Sequence, residues 1–307
     1  MLYINPDWAS VKEAKLEFHK NMTEFVYNRI DNIKKIKNID NAQVECFFDL
    51  YINDKLDDIL IGVPETFVKI NQNLNPLIEK NKGIKAGVEY VFNYDIFVSK
   101  KLIKYDAYNL ADSLDIRTCT YCNRNYTNTV IHSNGKKITR PQFDHFIDKG
   151  TNPLLAISFF NLIPSCSICN SGIKGSKKVN LREYLHPYLD NDINDIKFTY
   201  RLSKGKHGHR IVIKTPDTSK AKKTVELFAL EEIYNSHTGE LLDLLQTKQH
   251  FSDKYLSILD SNLLRGVIVS KEEMYRIVFG TEYHSENFIN RPFSKFKSDI
   301  LKELGII

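Results

Sequence analysis

The sequence contains no apolar run approaching the roughly 18 residues of a membrane-spanning helix, which argues against a helical membrane protein. Its opening stretch, MLYINPDWASVKEAKLEFHK, lacks a basic segment followed by an apolar one, so no secretion signal is read there and a cytoplasmic location is expected. Charge of one sign hardly prevails: 43 Lys and Arg against 38 Asp and Glu leave +5 at pH 7. That excess permits a polyanionic partner without demanding one. Internal repeats and low-complexity linkers are missing as well. Hydrophobic residues at 42% and charged residues at 26% are ordinary globular usage, which excludes wholesale disorder, collagen and small disulfide scaffolds. Cysteine is scarce, five in 307 residues, yet four of the five stand as two C-x-x-C pairs. The fifth, Cys46, lies alone in an apolar run with Val44, Phe47 and Phe48.

A chain of this length holds about two domains' worth of residues, and its character changes twice along it. Residues 1–117 read as a helical amino-terminal region. Asn5 and Pro6 mark a helix start, and Val11, Ala14, Leu16, Phe18, Met22, Phe25, Val26 and Ile30 recur at mixed three- and four-residue steps as one long amphipathic helix. Pro64, Pro76 and Gly83 are expected to cut the next stretch into shorter pieces. A helical pattern through Leu102, Ile103, Tyr108, Leu110 and Leu114 leads to the first cysteine pair. Residues 118–185 form the second part, where Asn134-Gly135 between two strand-like runs predicts a hairpin with a type I′ turn. Residues 186–307 read as an α/β region: a hairpin with strands around 198–202 and 211–213, then helices. The three parts are expected to pack as one body.

Cys119-Thr-Tyr-Cys122 and Cys166-Ser-Ile-Cys169 each place two thiols on a tight knuckle, and two knuckles complete a tetrahedral four-sulfur site. Without a secretion signal, one structural zinc per chain is favoured over disulfides, redox motifs or chance pairs. Four protein ligands leave no open position for chemistry, so the insert between the knuckles, residues 123–165, is where function is sought.

Within and beyond that insert stand Phe143-Asp144-His145-Phe146, Asn161-Leu162-Ile163-Pro164 and Cys166-x-x-Cys169-Asn170-Ser171-Gly172-Ile173-Lys174-Gly175. These three blocks, in this order over residues 118–178, resemble the zinc-knuckle HNH endonucleases. The flanks look more loosely like HNH proteins of bacterial anti-phage defence systems, the Septu type being the nearest. They are Tyr108-Asn109-Leu110-Ala111, Leu185-His186-Pro187-Tyr188 and Arg291-Pro292-Phe293-Ser294-Lys295. The resemblance implies an α+β fold, mainly helical around a small ββα-metal HNH core with a four-cysteine zinc site. It also implies a cytoplasmic nuclease that cuts DNA, leaves 5′-phosphate ends and works beside a defence-system ATPase.

The residue types suit that chemistry. Phosphodiester hydrolysis needs an activated water, a cation to neutralise phosphoryl charge, and help for the leaving oxygen. Neighbours on a strand point to opposite sides, so Asp144 and His145 converge only if the strand ends or bulges there. The resemblance implies that they do, with Asp144 toward a metal and His145 as the general base, a role suited to its ordinary pKa near 6.5. It assigns Asn161 to orienting the loop that carries His145. Asn170, at the opening of a helix predicted over 168–178, is a second oxygen ligand. Two protein oxygens plus water and phosphate fit Mg²⁺ or Mn²⁺. Many family members have histidine where Asn170 stands, which makes a transition metal less suitable here.

Lys174, Lys177, Lys178 and Arg182 follow closely and are expected to position phosphates. A second basic run, from Lys204 to Lys214 with Lys220, Lys222 and Lys223 beyond, reads equally as a nucleic-acid surface or a solvated hairpin. Two other readings remain open: a non-catalytic zinc ribbon that binds nucleic acid or bridges proteins, and an HNH nuclease directed at RNA.

Overall fold

The computed structural model describes residues 1–37, 39–99, 104–191, 193–204, 208–250 and 270–307. Leu102, Ile103, Lys206 and His207 lie outside the described residues.

The long amphipathic pattern forms helix α1, Ala9–Asp31, which buries Val11, Ala14, Phe18, Met22, Phe25 and Val26 along one stripe, while Leu16, read with that stripe, turns to solvent on the other face. It begins later than Asn5 and Pro6 suggest. Asn5 Oδ1 accepts from the Asp7 amide at 2.9 Å, and the Ile4 amide is committed to the Pro187 carbonyl at 2.8 Å. A side-chain turn therefore precedes the helix.

Helices α2 (Asn41–Tyr51), α3 (Leu56–Ile61), α4 (Pro64–Lys80), α5 (Lys82–Val91) and α6 (Tyr94–Val98) follow. In α2 Val44, Phe47 and Phe48 turn inward and Cys46 outward. Pro64 opens α4 as expected of proline at a first turn. Pro76 does not break the helix. Its ring removes one backbone hydrogen bond, but buried Phe67, Leu74 and Ile78 pin the helix on both sides. The break falls at Asn81, whose side chain accepts from the amides of Gly83 and Ile84 and caps α5. Gly83 is therefore inside a helix, not between two. Gly87 lets α5 approach α2, since a Cβ there would stand 2.4 Å from Val44 Cγ1.

Helix α7, Ala107–Leu114, starts with a capping box between Asp106 and Asn109. Strands β1 (Val130–Ile131) and β2 (Lys137–Thr139) pair antiparallel around Asn134-Gly135. The turn is not type I′. Only Gly135 has a positive φ, +80°, and its amide bonds the His132 carbonyl, which makes a longer loop closed by a left-handed glycine. Strands β3 (Gln142–His145) and β4 (Leu162–Ser165) form a second antiparallel pair, with Asp144 opposite Ile163 and His145 opposite Leu162. The helix after β4 spans Ile168–Lys174, shorter than the predicted 168–178 and wound wide. The Gly175 amide reaches the Asn170 carbonyl at 2.7 Å, and Gly175 at φ +50° ends the helix.

Strands β5 (Lys197–Leu202) and β6 (His209–Lys214) make a third pair. They pack on the helix Ser294–Glu303, whose Asp299 accepts from the Phe198 amide at 2.9 Å. Helices over Lys220–Leu227, Leu230–Asn235, Thr238–His250 and Lys271–Phe279 complete the described residues. The fold is thus mixed helix and strand. One contiguous cluster of buried residues runs from Leu2 through Phe159 and Phe198 to Leu301. Among the described residues, no helix is long and apolar enough to cross a membrane.

Candidate functional site

The first knuckle is built by the backbone. The Cys119 amide donates to the Asn125 carbonyl at 3.0 Å, the Asn123 amide to the Cys119 carbonyl at 2.8 Å, and Asn123 takes a left-handed φ of +49°. The second knuckle follows β4, where the Cys169 amide points at Cys166 Sγ at 3.5 Å. A bond from the Thr120 amide to the Pro164 carbonyl brings the knuckles together. The ligand atoms of Cys119, Cys122, Cys166 and Cys169 lie within 4.8 Å of one another, and all four residues are buried. Sulfurs bound to one zinc at about 2.3 Å stand about 3.8 Å apart, a separation within the span of this cluster. Burial pushes the Cys119 thiol up, while hydrogen bonds from the other three cysteines hold Cys166 below its ordinary value. Four thiolates cannot coexist in such a place without a cation, and a zinc ion held by the four sulfurs would supply one.

The site lies against this centre. Asp144 and His145 end β3, both buried, at 3% and 9% exposure. Asp144 Oδ2 accepts from the Tyr121 hydroxyl at 2.6 Å, and Oδ1 accepts from Lys174 Nζ at 2.9 Å. Burial raises the Asp144 pKa, opposed chiefly by the Lys174 charge and then by these hydrogen bonds. Tyr121 sits between the two cysteines of the first knuckle, so the sulfur centre and the carboxylate share one short segment of chain.

His145 is held by its ring. Nε2 lies 2.9 Å from the Ala156 carbonyl, which can only accept, so Nε2 carries the hydrogen and Nδ1 is the basic nitrogen. The Tyr94 ring meets the imidazole edge-on at 4.4 Å. Burial lowers the His145 pKa to about 4, so the ring is neutral at pH 7.

Asn161 is fully buried beside the turn that follows His145. Its Oδ1 accepts from the Ile147 amide at 2.7 Å, and its Nδ2 donates to the carbonyls of Ile147 at 3.0 Å and Leu155 at 2.9 Å. Both ends of the loop after His145 are therefore fastened to one side chain. Asn170 is half-buried and donates through Nδ2 to Gln142 Oε1 at 3.0 Å. Gln142 precedes Asp144 by two positions on β3 and so projects from the same face. Asn170 is thus tied to β3 through Gln142, while the cation that meets the Asp144 carboxylate is the Lys174 ammonium.

Lys174 corrects the sequence reading. It is 3% exposed, and its Nζ also donates to the His145 carbonyl at 2.7 Å. The wide helix points this last residue inward, so it is part of the site's interior and does not face solvent beside it. Lys177, Lys178 and Arg182 are exposed and form no ion pair among the described residues. Arg182 also rims a groove of about 830 Å³ between α4 and residues 179–183, walled by Ile147 and Leu155 of the His145 loop. On the second basic run, Arg210, Lys220, Lys222 and Lys223 are each paired with an acid, Glu231, Asp190, Asp217 and Glu183 respectively. His186 belongs to the core, fully buried and edge-on to Phe146 at 4.5 Å.

Three groups at the site are missing from the sequence reading. Gln142 was accessible to strand alternation from Asp144. Tyr121 and the Ala156 carbonyl were not, because their partners depend on how distant segments meet.

Comparison with known proteins gives two matches. Septu protein PtuB of Bacillus thuringiensis is 27% identical over 176 residues, which cover 52% of this chain and 63% of that protein. Protein ea31 of Escherichia phage lambda is 32% identical over 79 residues, 23% of this chain and 27% of that protein. Each match covers less than two thirds of the relative's own length. No family model and no solved structure matches the chain. A chain with four clustered, buried cysteines is thus similar to a Septu protein over about half its length.

Proposed function

We propose that this protein is an HNH endonuclease that hydrolyses DNA phosphodiester bonds as part of an anti-phage defence system. The observation that carries the reading is His145: a neutral, clamped imidazole with Nδ1 as its basic nitrogen, next along the strand to an aspartate whose carboxylate meets a cation. The pair β3 and β4 with the following helix, braced by the cysteine centre, supports a ββα-metal arrangement. Similarity to a Septu protein supports the defence role; an ATPase partner rests on the resemblance of the flanking motifs to Septu-type nucleases.

His145 Nδ1 takes the proton from water as its oxygen attacks phosphorus. The bond from phosphorus to the 3′ oxygen breaks and that oxygen takes a proton from solvent water, leaving a 5′-phosphate and a 3′-hydroxyl. Bound Mg²⁺ or Mn²⁺ supplies charge neutralisation at the phosphoryl oxygens. Asp144 and Asn170 are the side chains to hold that ion. Asn161 fixes the His145 loop so that the base keeps its aim. Lys177, Lys178 and Arg182 hold the flanking phosphates, an interaction that weakens steeply with salt.

The test is plasmid cleavage with Mg²⁺, with Mn²⁺ and with chelator, comparing wild type with His145→Ala at equal zinc content. Metal-dependent cutting by wild type and none by the variant is expected. Equal cutting by both overturns the assignment. If neither cuts, alone or with a partner ATPase, the non-catalytic reading takes its place; it rests on the ammonium that already sits on Asp144.

A further inference from the structure

A lysine enters a protein interior only where its charge is met. Lys174 is met twice: by Asp144 Oδ1 at 2.9 Å, on a carboxylate that Tyr121 holds from its other oxygen, and by the His145 carbonyl at 2.7 Å. The ammonium thus lies on the oxygen that the nuclease reading gives to a divalent ion. Two cations on one carboxylate oxygen repel each other strongly in a buried place. One of them has to go.

Lys174 is built to leave. It is the last residue of a wide, seven-residue helix and is followed by Gly175 in a left-handed conformation. Beyond it, residues 175–178 are exposed, with the Lys177 amide bonded back to the Lys174 carbonyl at 2.9 Å. The four-carbon stem ends in a point charge that needs no fixed geometry, so it can exchange a carboxylate for a phosphate. A phosphate held at Lys177 and Lys178 would lie within a few residues of its backbone.

We propose that Lys174 is an internal cation that occupies Asp144 in the resting protein and is displaced when a divalent ion binds, so that the site is kept closed to metal until substrate draws the lysine away. This rests on the nuclease reading for the identity of the ligands. Because Lys174 also grips the carbonyl of His145, its departure frees the backbone of the base at the same moment. Metal entry and release of the general base become one event.

The measurement is Mn²⁺ binding to the zinc-loaded full chain, followed by the loss of the free-ion electron paramagnetic resonance signal. Lys174→Met keeps length and removes charge. It is expected to bind Mn²⁺ about ten- to hundredfold more tightly than wild type, the factor carried by one charge-assisted hydrogen bond. Asp144→Asn is expected to abolish binding in both backgrounds. Unchanged or weaker binding by Lys174→Met overturns the proposal, as does binding that survives Asp144→Asn. Lys174→Gln serves if the methionine variant does not fold. If both variants lose their structure or their zinc, Lys174 is a structural tie and the proposal is wrong. Failure here is separable from failure of the nuclease reading. A wild type that cuts DNA only with His145 intact, yet gains no Mn²⁺ affinity on losing Lys174, refutes the displaced cation alone.

Discussion

Replacing Asn161 by alanine removes three hydrogen bonds at once, because its single amide fastens Ile147 by both backbone groups and Leu155 by its carbonyl. The side chain is fully buried, so water does not take over. Each orphaned group costs roughly 1–3 kcal/mol, and since the three share one loop that can relax, the total is about 3–5 kcal/mol. Against the usual stability of about 5–15 kcal/mol the variant still folds, but with its margin reduced. In urea, with an unfolding slope of about 3 kcal/mol per molar for a large chain, the midpoint should fall by roughly 1–2 M. Asn170→Ala is the control, since it loses one side-chain bond at a partly exposed position and should shift the midpoint by less than about 0.3 M. If Asn161→Ala costs under about 1 kcal/mol, or no more than Asn170→Ala, the amide is not the fastening argued for.

Two further outcomes follow from the same geometry. Chelation of zinc, or Cys166→Ser, should remove one zinc per chain by mass spectrometry and abolish cooperative unfolding. Apparent structural-zinc contributions of about 10–16 kcal/mol match or exceed a domain's whole stability; an unchanged melting midpoint in the zinc-free protein would contradict this. The His145 ring should remain neutral down to about pH 5 in side-chain nuclear magnetic resonance, with its hydrogen on Nε2. Its folded pKa, about 4, lies below the ordinary 6.5, so between those values the unfolded chain binds the extra proton. Stability from this group is complete above pH 6.5 and falls by about 3 kcal/mol as pH drops to 4. A titration midpoint near 6.5 in the folded protein would refute the buried, clamped ring.

Much of this was legible in the residues. The cysteine spacing is short-range geometry, and it placed four sulfurs together. The stripe from Val11 to Ile30 is a period that only a helix buries. Where packing overrules local preference, the sequence misleads: Pro76 stays inside α4 because its neighbours are buried, and Asn134-Gly135 closes a longer loop than a type I′ turn. Lys174 is the instructive case. A lysine one helical turn beyond Asn170 reads as surface charge, and nothing local says that a wide helix will turn it onto an aspartate thirty positions earlier. Tyr121 is hidden in the same way, since its partner is supplied by a strand from elsewhere in the chain.

The first knuckle has a consequence for the order in which the chain can be finished. Asn123 donates to the carbonyls of Phe288 and Arg291, its own carbonyl and Oδ1 accept from the amides of Phe293 and Lys295, and Thr118 donates to Ile289. These partners are made more than 160 residues later on the ribosome. A nascent chain that has already produced all four cysteines, His145 and Asn170 still lacks the segment to which the first knuckle is bonded. Assembly of the knuckle is thereby tied to synthesis of residues 288–295, and a ribosome that stalls before residue 288 releases the four cysteines without that frame.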